Sequence, residues 1–206
     1  GGVMSRIRTE NLGGAIAWIL HRPHPSVQGL VRQLGVIGLE VREAWPELPA
    51  EAIGADFIFY DADMGHDEQF PWPRGQSPMP MIALIGSEAP GRLKWAMDVG
   101  AHAQLLKPVS DKGVYAALLV ARSNFDRANA SEAMIADLQN RLSARQTIVQ
   151  AVMIFVMKGM TEAEAYDQLR QAAMAWRVTI ETAAERLVAN HSNERGKDDG
   201  RRVDLA

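Results

Sequence analysis

Two residues in the first half of the chain stand where polar chemistry is possible. Asp61 closes the apolar run Ala55-Asp56-Phe57-Ile58-Phe59-Tyr60, and Lys107, followed by Pro108, closes Ala103-Gln104-Leu105-Leu106. If both runs are strands of one parallel sheet, their carboxyl ends lie close together. A carboxylate there could attack a phosphoryl donor, and the lysine could pair with the phosphate formed. The plainer alternative is a strand-end ion pair of Asp61 with Lys107 or Arg22. Other candidates for chemistry carry less. His21, His24, His66 and His102 show no metal spacing with a carboxylate and read as solvated loop residues. Gly13-Gly14 and Gly35 to Gly38 form no G-x-G-x-x-G turn opening a helix, and no Ser/His/Asp set stands in a nucleophile context. The chain has no cysteine, which excludes disulfides, zinc-thiolate sites and thiol nucleophiles and fits a reducing compartment. No enzyme, metal or cofactor is expected, and the expected location is the cytoplasm.

The second half offers a different kind of chemistry. Arg145, Arg170 and Arg177, with Gln150, are residue types that contact phosphates and base edges, and Trp176 could stack on an unpaired base. Each has a plain alternative: a solvated helix arginine or an i,i+4 partner, and for Trp176 a core or dimer-face role. Tyr166 reads as core. The formal net charge is −3, and from Arg141 to Arg186 six Lys/Arg face five Asp/Glu. Any nucleic-acid surface must therefore be local.

The elements that position these residues follow from the apolar pattern. Ala15–Leu20, Leu39–Trp45, Ala55–Tyr60, Met81–Ile85 and Ala103–Leu106 read as five strands, three of them apolar on both faces. Val27, Leu30, Val31 and Leu34 mark a helix stopped at Gly35, and a second helix runs from Pro90 to Val99 and ends at Gly100. Residues 64–80, rich in proline and glycine, are mostly loop. Five strands alternating with four or five helices predict the flavodoxin-like doubly wound sheet, with chemistry at the strands' carboxyl ends.

After Pro108 there is no proline and no strand signal. A helix is predicted from Asp111 to about Lys158. Ile135, Leu138, Leu142, Val149 and Val152 recur at spacings of three and four, with Arg145 in the remaining place, which is a coiled-coil seam that requires a partner helix. Leu118, Ala121, Phe125 and Ala128 continue the seam upstream. Gly159 ends the helix, Thr161-Glu162-Ala163-Glu164 is a capping box for the next, and Thr179 caps a last one. The expected division is 12–110 receiver-like, 111–140 coiled-coil linker, 141–190 three-helix module and 191–206 disordered tail. Gly1 to Val3 read as a scar ahead of Met4, with no secretion leader.

Residues 55–61 and 100–109 resemble the response-regulator receiver (CheY-like) domain. Receivers carry an acidic pair after the first strand to hold magnesium, but here His21-Arg22-Pro23 occupies that place, and only a displaced Ser87 follows the fourth strand. The first domain therefore resembles a receiver that has lost its cation ligands, a pseudo-receiver. Arg141 to Val188 resembles the ANTAR module of transcription antiterminators through Arg145, Ile148, Gln150-Ala151, Gly159, Thr161, Glu164-Ala165-Tyr166, Leu169-Arg170, Ala173, Arg177 and Ala184 to Val188. Val152 and Met153 stand where that family usually has lysine and glycine. The order of parts, with Val41 to Pro46 after the second strand, is similar to the aliphatic amidase type of these regulators. The resemblance implies an RNA-binding antiterminator that grips hairpins in leader mRNA. It also implies a homodimer, built through Phe125, Ile135, Leu138, Leu142 and Val149, and silencing by a periplasmic-binding-protein-like amide sensor. Two alternatives stay open: a protein-interaction adaptor with a decayed RNA module, and a response regulator phosphorylated on Asp61.

Overall fold

A computed structural model describes residues 11–200, with side chains described as far as residue 194. Gly1 to Val3 and residues 201–206 of the expected tail lie outside the described residues. The backbone divides into two compact units, residues 1–130 and 131–206.

In the first unit five strands form one parallel sheet: β1 (Ile16–Leu20), β2 (Glu40–Ala44), β3 (Phe57–Asp61), β4 (Met81–Ile85) and β5 (Ala103–Leu106). Their order is β2-β1-β3-β4-β5, the doubly wound arrangement. The two-residue alternation of β3 splits its side chains between two cores. Phe57 and Phe59 pack with Ala17, Ile19, Ile82 and Leu84 under α1 (Gln28–Ile37) and the first turns of α3 (Val114–Met157). Ile58 and Tyr60 pack on the opposite face with Trp18, Leu20 and Met81. Each fully buried Leu, Ile or Phe contributes roughly 1.5–3 kcal/mol, so a five-residue strand without a single exposed position belongs in the centre of the sheet.

That second face has fewer helices than the apolar pattern predicts. The β2–β3 and β3–β4 connections carry only short 3-10 turns, Ala50–Gly54 and Asp67–Gln69. Pro46, Pro49, Pro71, Pro73, Pro78 and Pro80 explain this, since a proline withholds an N–H and clashes with the preceding turn. The cover comes instead from Leu48, Ala52 and Phe70, together with Ala96 and Val99 of α2 (Pro90–Val99). The Tyr60 hydroxyl donates to the Ala96 carbonyl at 2.8 Å, and burial pushes this phenol up. Helix α1 runs through Gly35 to Ile37 and is capped by Gly38 at φ 106°. Gly35 thus sits inside the helix, and the following glycine supplies the left-handed residue that stops it.

The start of α3 belongs to the core of the first unit and is not free linker. Val114, Ala117, Leu118 and Ala121 are buried against α1 and the sheet. Phe125 meets the His102 ring edge-on, with centroids 5.3 Å apart, and Asn124 donates to the His102 carbonyl. Leu118, Ala121 and Phe125 are therefore withdrawn from the expected seam. The parallel sheet needs this helix to close its face, and that burial outweighs their seam spacing.

In the second unit the end of α3 joins α4 (Glu162–Trp176) and α5 (Ile180–Gly200). Ala151, Leu169, Ala173, Ala183 and Ala184 form a core of mostly small residues, with Ile148, Val152, Phe155, Leu187 and Val188 around it. The capping box at Thr161 and Glu164 is formed in both directions, and the Thr179 hydroxyl accepts the Thr182 amide. Helix α5 continues to Gly200, where the charged composition predicts a disordered tail from His191. No proline interrupts residues 191–200, and the Ser192 hydroxyl satisfies the Val188 carbonyl.

Candidate functional site

Strand register builds the first site. Leu20 pairs with Tyr60, and Ile85 pairs with Leu106. The residues one step further, His21 beside Asp61 and Gly86 beside Lys107, therefore meet at the carboxyl edge of the sheet. The Lys107 Nζ donates to Asp61 Oδ1 at 2.9 Å and lies 2.7 Å from Asp63 Oδ2. It also lies 3.0 Å from His21 Nε2. Lysine only donates, so Nε2 accepts, and Nδ1 donates to the Arg22 carbonyl. The expected pairing of Asp61 with Lys107 is present. Asp61 itself is 1% exposed, and its Oδ2 has no hydrogen-bond partner.

Two histidines depart from the sequence reading. His21 is buried, not solvated, because it fills the strand-end place beside Asp61. His102 is half-buried, and its Nδ1 accepts the Met81 amide at 2.9 Å. Burial holds the His102 imidazole below its ordinary value, and a ring nitrogen that accepts an amide hydrogen bond is not free to take up a proton.

Asp63 was invisible to motif reasoning and is the most fully partnered carboxylate of the cluster. It accepts the Gly86 amide at 3.0 and 3.2 Å, the Ser87 amide at 3.0 Å, and the Lys107 ammonium. Burial works to raise it, but the Lys107 and Ser87 bonds, with Gly86, outweigh that and hold it below its ordinary value. Its only signal in the sequence is its place two residues after Asp61. These residues do not fit the hard divalent cation of receivers. His21 and Arg22 supply no acidic oxygens, and an ammonium already stands between the two carboxylates.

The second site lies on the three-helix unit. Arg145 and Gln150 line one open depression of about 370 Å³ with Gln146 and Val149. Gln150 thus joins Arg145, and the groove runs along the seam side of α3. Ile135, Leu138, Leu142 and Val149 all leave more than half of their surface open, an apolar stripe that a single chain leaves uncovered.

Arg170 lies elsewhere, on α4, with its guanidinium 5.6 Å from the Tyr166 ring centre. Tyr166 is 42% exposed, not core as its apolar neighbours suggest. Ala165 and Leu169 take the inward positions and leave the ring outside. Trp176 falls about 20° from Leu169 around the helix, so it ends the inward stripe. It stays 41% exposed, with Arg186 of α5 5.8 Å from its ring centre. Arg177 caps α4 in left-handed backbone, φ 55° and ψ 45°, the only non-glycine at positive φ among the described residues. Val152, in the place of the usual lysine, is half-buried against the small-residue core.

Comparison with known proteins follows the same division. Residues 16–122 match the family described as "AmiR, N-terminal", and residues 136–188 match the ANTAR domain. The aliphatic amidase regulator of Pseudomonas aeruginosa is 27% identical over 176 residues, covering 84% of this chain and 90% of that protein. The transcriptional regulatory protein PdtaR of Mycobacterium tuberculosis is 34% identical over 107 residues, 52% of each chain. A chemotaxis response regulator of Vibrio cholerae superposes with a TM-score of 0.41 at 21% identity, over 52% of this chain and 98% of its own. With an AmiR-type N-terminal domain on the receiver-like sheet and an ANTAR domain on its last three helices, the chain belongs to the ANTAR-domain regulators of the aliphatic amidase regulator type.

Proposed function

We infer that the protein is an RNA-binding transcription antitermination regulator whose receiver-like domain serves as a scaffold. The observation that carries this reading is the ANTAR match over residues 136–188 on a unit whose exposed surface bears arginines beside aromatic rings. Single-stranded loops are read by stacking and by base-edge contacts, so a surface of nearly balanced charge suffices where cations and rings adjoin. The contact set of this reading is Arg145, Gln150, Arg170, Trp176 and Arg177, to which the exposed Tyr166 is added. Arg177 supports it energetically. A β-carbon in left-handed backbone costs about 1–2 kcal/mol, and glycine would serve better if the position only ended a helix.

The RNA bound is a pair of small hairpin loops in a leader transcript, one for each protomer of a homodimer. The open stripe Ile135, Leu138, Leu142 and Val149 supports dimerisation through paired α3 helices. Action on nascent RNA places the protein in the cytoplasm. A sensor of the periplasmic-binding-protein type, responding to a small amide, is the regulatory partner that family membership favours. The lack of acidic cation ligands at His21-Arg22 and the burial of Asp61 favour a structural role for that carboxylate over phosphorylation.

A gel shift with leader hairpins tests the reading. The full chain binds a paired-hairpin RNA in preference to an unstructured RNA of equal length. Charge reversal at Arg177 weakens that binding while helicity is kept. An affinity indifferent to hairpin structure contradicts the reading.

A further inference from the structure

The ends of β4 and β5 form an anion seat that the chain fills with its own side chain. Three donors from these two ends, the Gly86 and Ser87 amides and the Lys107 ammonium, converge on the Asp63 carboxylate at 2.7–3.2 Å. Paired backbone amides beside a lysine are the donor set that a phosphoryl oxygen requires. Gly86 fits this use. A β-carbon there would lie 2.5 Å from Asp63 Oδ2 and 3.1 Å from Lys107 Cε, and Gly86 is not among the residues at positive φ. Its glycine therefore serves close approach of the carboxylate, not an unusual backbone.

Asp61, behind this seat, is closed by the same contacts. Its Oδ1 accepts both Lys107 Nζ and the Asp63 amide. Its Oδ2 points into the buried side, 3.6 Å from His21 Nε2 and without a hydrogen bond. Asp63 is 21% exposed, whereas Asp61 is 1% exposed, so solvent reaches the seat but not the residue behind it.

We propose that Asp63 is a built-in anion that permanently occupies the phosphate seat of the receiver-like domain and fixes the loop after β4 in one arrangement without phosphorylation. The seat accepts an external tetrahedral oxyanion only when this carboxylate is removed. The proposal stands whether or not the C-terminal unit binds RNA.

The test is a sulfate titration of the full chain, followed through the amide signals of Gly86 and Ser87. In the wild type both signals stay still at millimolar sulfate. In Asp63→Ala both move and saturate, with an affinity at least about tenfold above any seen in the wild type. The double variant Asp63→Ala/Lys107→Met loses most of that gain. Equal sulfate binding by the wild type and Asp63→Ala overturns the proposal, and so does an Asp63→Ala protein that binds none. If Asp63→Ala does not fold, the wild type alone decides. On acidification the Gly86 and Ser87 amides should shift together, at one midpoint below that of an ordinary aspartate. Separate midpoints, or no movement, overturn it. An acyl phosphate on Asp61 after incubation of the wild type with acetyl phosphate and magnesium overturns it as well.

Discussion

In the proposed reading, Arg177 sets stability against RNA contact at a single residue. Its left-handed backbone makes Arg177→Gly a relief of strain, so the variant should be more stable by about 1 kcal/mol. Thermal unfolding checks that gain, and a gel shift on the same protein should show weaker RNA binding. A variant that gains stability and keeps its affinity reduces Arg177 to a helix cap. Tyr166 gives the complementary case. Because the ring is exposed under Arg170, Tyr166→Ala should leave unfolding nearly unchanged and cost about 1–3 kcal/mol of RNA affinity. His102 governs a pH dependence in the first unit. Its folded-state imidazole is held below the ordinary value by burial, so the unfolded chain takes up a proton first. The stability it contributes is complete above the unfolded value of about 6.5 and is lost as pH falls through the lower folded value. Urea unfolding of the wild type should weaken across that window, and His102→Gln should flatten the change.

At the level of elements, α3 is closed within the chain at its start and open further along. Helix α3 buries Val114 to Ala121 in the receiver core but leaves Ile135, Leu138, Leu142 and Val149 open. If the proposed homodimer forms along this stripe, Leu138→Glu with Leu142→Glu should give a folded monomer, seen as a halved mass in sedimentation with unchanged helicity. A variant that keeps the dimer mass would show that these positions are not the seam. The α4 cap predicts a smaller effect. Thr161→Ala removes the oxygen that holds the Glu164 amide and should cost about 1 kcal/mol in the stability of the second unit.

Across the whole molecule, the parts most legible in the sequence were those decided by local apolar pattern. The strand runs and their doubly wound order follow from Phe57–Tyr60 and Met81–Ile85, which alternate into two cores. The caps at Gly100, Gly159 and Thr161 follow from residue type and place. The parts that were not legible depend on which surfaces meet. The spacing of Leu118, Ala121 and Phe125 fits a seam as well as a core face, and only the assembled sheet shows that it needed them. Tyr166 sits among apolar neighbours, and its exposure depends on how α4 is rotated against Ala151 and Ala184. His21 and Asp63 acquire meaning only through the strand register that brings Lys107 between them.

The most direct test of the account is the affinity of the full chain for a paired leader hairpin, measured across a salt series beside an unpaired RNA of equal length. The account predicts saturable, hairpin-selective binding whose logarithm falls linearly with the logarithm of salt, with a slope reduced by about one on loss of Arg177. Binding too weak to saturate even at low salt, or equal for both RNAs, would contradict it.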